Sequence, residues 1–328
     1  MATIGTAVNI ADLTKQLDPD GKIADIGELL AQNSPVVKSM PMVEGNLITG
    51  NRSSVRTGLP TIYWKIINKP TPSSKSKTAQ ADDACGTMEA WGKVDVKLAE
   101  LAPDLPKFRF NESQAFIEAM SQEGEQTLFY GNSSLNPEEF TGLSPRYSSL
   151  SAANAENIID AAGTSSDNSS IWLVGWSPRT VFGIYPKGSK AGLTHEDKGK
   201  VVETSSDGEL EVYKDKFNWN LGLCVKDWQY AVRIANIDIS NLKAKSSAAD
   251  LIELMIRATK KVRNLQACNP VFYMNRTVEA CLDIQRRDDI ITGAGLRYDV
   301  VDGLPVASFR GIRVEITDAL LENEARVV

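Results

Sequence analysis

The sequence predicts an α+β fold, and three observations carry that reading. Helix-period and strand-period segments are mixed without a strict βαβ rhythm. The strands fall in neighbouring pairs separated by turn formers. With 42% apolar residues over 328 positions, the chain can bury one large core or two ordinary ones.

From the N-terminus, Met1 to about Met42 reads as an extended arm with one short helical candidate, Ile23 to Ala31, whose Ile26, Leu29 and Leu30 share a face. Gly58 and Pro60 then punctuate the chain ahead of TIYWKII (Thr61 to Ile67), a β-branched and aromatic run. KVDVKL (Lys93 to Leu98) alternates Lys93, Asp95 and Lys97 against Val94, Val96 and Leu98. Between these strand candidates lies KPTPSSKSKTAQADD (Lys69 to Asp83), too polar to offset the entropy of ordering by burial. Two strands carrying a polar tip make a protruding β-arm: either a plain surface hairpin or a reach toward another subunit.

After Pro103 and Pro106 a helix is expected over Glu112 to Tyr130, with Asn111 or Ser113 as cap and Ala115, Phe116, Ala119, Met120 and Leu128 at helical spacing. Gly124 inside it costs about 1 kcal/mol and suggests a bend. GNSSLNPEEFTGLSPRY is rich in turn formers, yet its Leu135, Phe140 and Leu143 predict a packed loop. A short helix from Ala153 to Ala162 and the linker GTSSDNSS lead to a second module.

That module opens with a buried strand, IWLVGW (Ile171 to Trp176), and a short helix ending at Pro186. VVETSS and ELEVYKDKFNW are joined at Asp207-Gly208, the strongest short hairpin signal in the chain. Trp228, Tyr230, Val232 and Ile234 then mark a third strand of an antiparallel meander. The clearest helix runs from Ser247 to Gln266, with Leu251, Met255, Ala258, Val262 and Leu265 on one face and a capping-box pattern at Ser247 and Asp250. Strand Pro270 to Asn275, helix Thr277 to Arg287 and the polar loop RDDIITGAG follow. LPVASF and IRVEIT, turned by Arg310-Gly311, close the chain, with Ile312, Val314 and Ile316 facing one way.

The net charge of -6 and pI near 5.1 argue against a dedicated nucleic-acid binder, while leaving local DNA contact open. The N-terminus lacks the charged and apolar regions of a secretion signal and no segment has membrane-span length, so a cytoplasm-like compartment is expected. Cys85, Cys224, Cys268 and Cys281 are scattered, as reduced and mostly buried thiols are.

The single histidine, His195, lies in a polar stretch with no nucleophile elbow, and reads as a solvated loop residue. PKGSKAG (Pro186 to Gly192) lacks the phosphate-loop spacing, and GAGLRY (Gly293 to Tyr298) has two of the three dinucleotide-binding glycines. Glu138-Glu139 and Asp288-Asp289 read as solvated turn acids. Lys243, Lys245, Lys260, Lys261 and Arg263 form a local basic concentration that is either a solvated helix face or a DNA-facing patch. Trp64, Trp91, Trp172, Trp176, Trp219 and Trp228 lie in or near strand candidates, where packing is expected. No catalytic, cofactor or metal residue is assigned.

Several passages carry a family resemblance: TGLPTIYWKIINKPTPSSKSKTAQ, TLFYGNSSLNPEEFTGLSPRY, WLVGWSPRTVFGIYPKG and GLPVASFRGIRVEITDALLENEARVV. Their joint order resembles the major capsid proteins of tailed bacteriophages, nearest to short-tailed phages of the epsilon-fifteen kind. The resemblance implies the Hong Kong ninety-seven capsid fold, with an N-terminal arm (1–50), an E-loop β-arm (51–100), a P domain with the spine helix (101–150), an A domain (151–290) and C-terminal strands returning to the P domain (291–328).

It further implies self-assembly through pentamers and hexamers into an icosahedral shell around packaged double-stranded DNA, with scaffolding, portal and decoration proteins as partners, no cofactor, no membrane and no enzymatic role. The shell would form in the host cytoplasm. On this reading the E-loop meets a neighbour through Tyr63, Trp64, Ile66, Val94 and Val96, with Lys75 and Lys77 finding carboxylates at the rim. The lysine–asparagine cross-link of some members is not carried over. An encapsulin-like compartment and an α+β enzyme are the rival readings.

Overall fold

The computed structural model describes residues 34–205, 208–245, 249–288, 296–301 and 304–328. A one-turn helix α1 (Val36–Ser39) and a short strand β1 (Met42–Glu44) lead into the arm, made of β2 (Gly50–Gly58) and β3 (Lys77–Asp95). Helix α2 (Val96–Leu101) follows directly, because the Asp95 carboxylate accepts from the Lys97 amide at 2.7 Å and caps it. The 26-residue helix α3 (Leu105–Tyr130) is capped by Asp104, with Pro106 in its first turn where the missing N–H costs nothing. Next come α4 (Leu143–Arg146), a 3₁₀ turn at Ala155–Asn157, β4 (Ile158–Asp160), β5 (Asn168–Trp176) and β6 (Val181–Tyr185).

The long hairpin of β7 (Leu193–Ser205) and β8 (Gly208–Val225) precedes β9 (Ala231–Asp238), α5 (Ile239–Ala244) and α6 (Leu251–Lys261). The chain closes with β10 (Asn269–Met274), α7 (Arg276–Asp288), β11 (Leu296–Val301), β12 (Leu304–Phe309) and β13 (Ile312–Ile316).

The described strands join into one hydrogen-bonded network running β11-β12-β13-β10-β5-β6-β8-β3-β2, with β9 on the other side of β5. β4–β9, β10–β13 and β1–β6 are parallel, while most other pairs are antiparallel, so the class is α+β. Every residue of β5 is buried, because the sheet is covered on both faces. Trp172, Val174 and Trp176 point to the layer that holds Phe129 of α3 and Tyr273 of β10. Ile171 and Leu173 point the other way, to Leu251, Met255 and Ala258 of α6 and Val278 and Leu282 of α7. The centre is therefore three layers, helix on sheet on helix.

Several expectations are corrected. The arm's strands are β2 and β3; Thr61–Ile67 has no strand partner, and Lys77–Asp83 of the polar stretch is laddered. Strand propensity reports a surface to pack on, which the outstretched arm lacks, whereas polar Lys77–Ala84 ladders through its backbone against β2. Lys97 and Leu98 are helical. Helix α3 starts seven residues before Glu112.

Gly124 is where α3 meets the sheet: a Cβ there would lie 2.7 Å from Trp219 Cζ3. Phe140 and Leu143 are buried as expected, but Leu135 is 77% exposed. In place of a helix over Ala153–Ala162, Asn157 donates to the carbonyls of Trp228 and Ala231 and starts β4 beside β9. Val181–Tyr185 is strand rather than helix, wedged between β8 and β1. The meander is broken because β9 pairs with β5 and β4, with Trp228–Tyr230 in a 3₁₀ turn.

Helix α6 begins at Leu251 under an Asp250 cap and ends at Lys261. The Ile23–Ala31 candidate, Ser247 and residues 289–295 lie outside the described residues, as does Asp207, although Ser205 stands opposite Gly208. β12 and β13 close as expected across Arg310 and Gly311, both with positive φ (53° and 81°).

Candidate assembly surface

The arm is built outward from its root. At the root Asp83, buried, accepts from Arg146 of α4 at 2.7 Å, tying β3 to the segment after α3. One pair further out, Arg52 makes a two-pronged bond to Asp82 across the ladder, Nε to Oδ1 and Nη2 to Oδ2, both 2.6 Å. These hydrogen bonds hold the exposed Asp82 carboxyl below its ordinary range and push the Arg52 guanidinium up. The Asn46 side chain bridges the amide and carbonyl of Arg52. From Gly50 to Gly58 the nine residues of β2 span about 30 Å. The ladder slips between Arg56 and Gly58, and beyond it residues 59–76 form no regular element.

The tip holds apolar side chains that no other described residue covers. Trp64 is 100% exposed, Ile67 86%, Ile62 85% and Ile66 62%, with Tyr63 and Leu59 also exposed. Two internal bonds shape it, Ser74 Oγ to the Thr61 carbonyl at 2.7 Å and the Lys69 amide to the Ile66 carbonyl at 3.1 Å, with Asn68 at φ 64°. Lys65, Lys69, Lys75 and Lys77 stand exposed around it.

The residues expected at the neighbour contact thus divide. Tyr63, Trp64, Ile66, Lys75 and Lys77 lie together on the exposed arm. Val94 and Val96, at 5% and 4% exposed, are buried in their own subunit, Val94 with Leu98, Ala99 and Phe108, and neither offers surface to a neighbour. The side-chain alternation that selected them also marks a face pressed on the subunit's own helices, and sequence pattern alone does not separate the two. Leu59, Ile62 and Ile67, not named among those residues, are exposed beside them, and Ile62 and Ile67 belong to the same Thr61–Ile67 run.

His195 is in β7 rather than a loop. Its ring stacks on Phe217, centroids 4.8 Å apart, and Nε2 lies 2.9 Å from Asp215, which also takes Arg109 of α3 at 2.9 Å. Arg109 reaches Asp197 at 2.8 Å, so the cluster staples the hairpin to α3. The four cysteines are free, with burial pushing Cys85 up to about 11 and Cys224 up to about 12. Of the four, Cys224 is buried and the others are half-buried. Among the described residues no helix is long and apolar enough to cross a membrane.

A protruding arm, a long helix on a mixed sheet and strands returning at the C-terminus are the parts of a shell subunit, and comparison with known proteins agrees. The solved structure described as "Validated Near-Atomic Resolution Structure of Bacteriophage Epsilon15 Derived from Cryo-EM and Modeling" is similar over 100% of this chain and 99% of its own, with TM-score 0.77 and 26% identity. The bacteriophage JBD30 capsid aligns over 90% of this chain and 95% of its own, at TM-score 0.47 and 10% identity. The capsid of the native GTA particle covers 71% and 99%, at TM-score 0.45 and 9% identity. No curated protein matches.

The fold is that of the Hong Kong ninety-seven capsid proteins, and the chain is a structural protein of the virion capsid that forms a shell from copies of itself. The family model for major capsid protein GP7 matches residues 18–328, and the chain belongs to that family.

Proposed function

We propose that the shell closes through pentamers and hexamers in which each arm buries its tip on a neighbouring copy. The observation that carries this is Trp64, fully exposed among Ile62, Ile66 and Ile67 at the end of a 30 Å ladder. Full burial of each such side chain is worth about 1.5–3 kcal/mol. Repeated around a ring, that is the gain a lattice needs, while Lys65, Lys69, Lys75 and Lys77 add steering at the rim.

The domain scheme goes with this reading: N-terminal arm (1–50), E-loop (51–100), P domain with α3 (101–150), A domain (151–290) and C-terminal strands (291–328). The finished shell encloses double-stranded DNA, works with scaffolding, portal and decoration proteins, assembles in the host cytoplasm and performs no catalysis.

The test replaces the tip, Ile62→Ser with Trp64→Ser and Ile67→Ser. The subunit should melt at the wild-type temperature, since these groups bury nothing in it, but yield no shells by negative-stain microscopy. Shells at wild-type yield would rule the arm out as a contact.

A further inference from the structure

A groove of about 490 Å³ opens beside the outer half of β2, between it, the turn after β5, the loop after β8 and the chain just past α6. Four cationic side chains line it: Arg56, Arg179, Lys226 and Arg263. All four are exposed, and none has an ion-pair partner among the described residues. Asp227, the one carboxylate in the lining, is committed to the Gln229 amide at 3.0 Å. Four separate segments therefore bring like charges together with no internal counter-charge sufficient to balance them, an arrangement that costs the free subunit and is relieved by an anion.

We infer that this groove is a recognition cleft for carboxylates presented by a second copy of the chain. Three observations select that occupant. The chain has an acid surplus, 42 Asp and Glu against 36 Lys and Arg, so any neighbour supplies carboxylates. Three of the four cations are arginines, whose planar fork matches a carboxylate in two-pronged geometry. The lining also includes Leu59, 80% exposed, and half-buried Trp228, so the wall is mixed apolar and cationic, as a protein segment requires, rather than a uniform track for a phosphate backbone. Leu59 begins the exposed run that ends in the arm tip, so groove and tip lie on one continuous surface.

The test uses assembled shells of the full chain built from a mixture of ¹⁴N and ¹⁵N subunits. Carbodiimide joins an amine to a carboxylate in direct contact, and Lys226 is the groove's only amine. The expected product is a mixed-isotope peptide linking Lys226 to an Asp or Glu of another copy, absent in Lys226→Arg. Same-isotope links alone, or none, would overturn the proposal.

In parallel, the triple variant Arg56→Gln, Arg179→Gln, Arg263→Gln should fold normally, assemble about tenfold more weakly and lose most of the salt dependence of assembly. Wild-type assembly with wild-type salt dependence would sink the idea. So would a variant that assembles normally but no longer retains a double-stranded oligonucleotide, which would make the groove a phosphate site. The cross-link is read on wild-type shells, so it stands or falls independently of the tip substitutions.

Discussion

Arg233 of β9 and Glu324, ninety-one positions later, form an ion pair with both side chains almost wholly buried, Nη2 to Oε2 at 2.7 Å. The same carboxylate accepts from Ser170 of β5 and Tyr130 at the end of α3, each at 2.5 Å. Arg233 also donates to the Tyr147 carbonyl at 2.9 Å and lies over the Trp172 ring at 5.2 Å. The C-terminal segment is thereby locked across three elements of the core. Nearby, Asn236 exchanges bonds with the amide and carbonyl of Val327.

Removing one partner of such a pair strands a buried charge. Arg233→Met should cost about 3–5 kcal/mol, read as a lowered urea midpoint. Arg233→Met with Glu324→Met should recover much of that loss, since the pair is then replaced by apolar bulk. A double variant no better than the single would show that geometry, not charge, is what the pair supplies.

Glu125 of α3 is buried and accepts from Thr317 Oγ1 at 2.6 Å, with the Ser34 side chain and the Val36 amide facing it. Burial pushes its carboxyl up to about 7, the nearby Asp318 charge adding to the effect. A folded-state value above the unfolded 4.5 means the native state holds the proton longer, so stability falls as pH rises from about 4.5 to about 7, by about 3 kcal/mol in all. Urea midpoints at pH 5 and pH 8 check this, and Glu125→Gln should flatten the difference.

Gly124→Ala improves intrinsic helix propensity by about 1 kcal/mol. The new methyl would nonetheless lie 2.7 Å from the rigid ring of Trp219, and overpacking of that kind costs about 1–3 kcal/mol. The melting temperature is expected to fall. A rise would mean that the Trp219 ring moves freely aside.

Val94 and Trp64 separate stability from assembly. Val94→Ala should lower subunit stability by about 1–3 kcal/mol through lost packing against Leu98 and Phe108. Trp64→Ala should leave the urea midpoint unchanged and reduce shell yield in light scattering. Equal effects of the two on the midpoint would contradict the burial found for each.

What could be read in advance depended on whether the deciding partner was local. Strands β5, β12 and β13 were legible, because a continuous apolar run and the Arg310-Gly311 turn determine them within a few residues. Helix α6 was legible from its stripe, although its ends were not. The arm was foreseen as an arm, yet its ladder was assigned to the wrong residues, because the polar Lys77–Ala84 pairs with β2 only through a contact between distant segments. Of the residues expected at the neighbour contact, Trp64 and its neighbours read from composition as a strand that packs, and only the family resemblance placed them against another subunit; their exposure depends on the absence of a surface beside them. Val94 was placed at the contact because its core includes Phe108, in a helix whose start lay earlier than its pattern suggested, and Val96 because the strand alternation hid the start of α2. The groove beside the outer half of β2 had no continuous signal in sequence: Arg263 alone fell in the basic concentration, and the four cations come from four separate segments.

β3 carries arm and body in one unbroken strand: its first eight residues pair with β2 and its last eleven with β8. Mechanically the arm is a cantilever clamped in the sheet, not a rope tied to it. A force at the tip is delivered along covalent bonds and cross-strand ladders straight into β8 and the layer beneath α3. If the tip seats on a neighbour as proposed, residues 59–76, outside any regular element, meet the load of a tilting neighbour first, and whatever they do not absorb becomes twist in the body of the subunit.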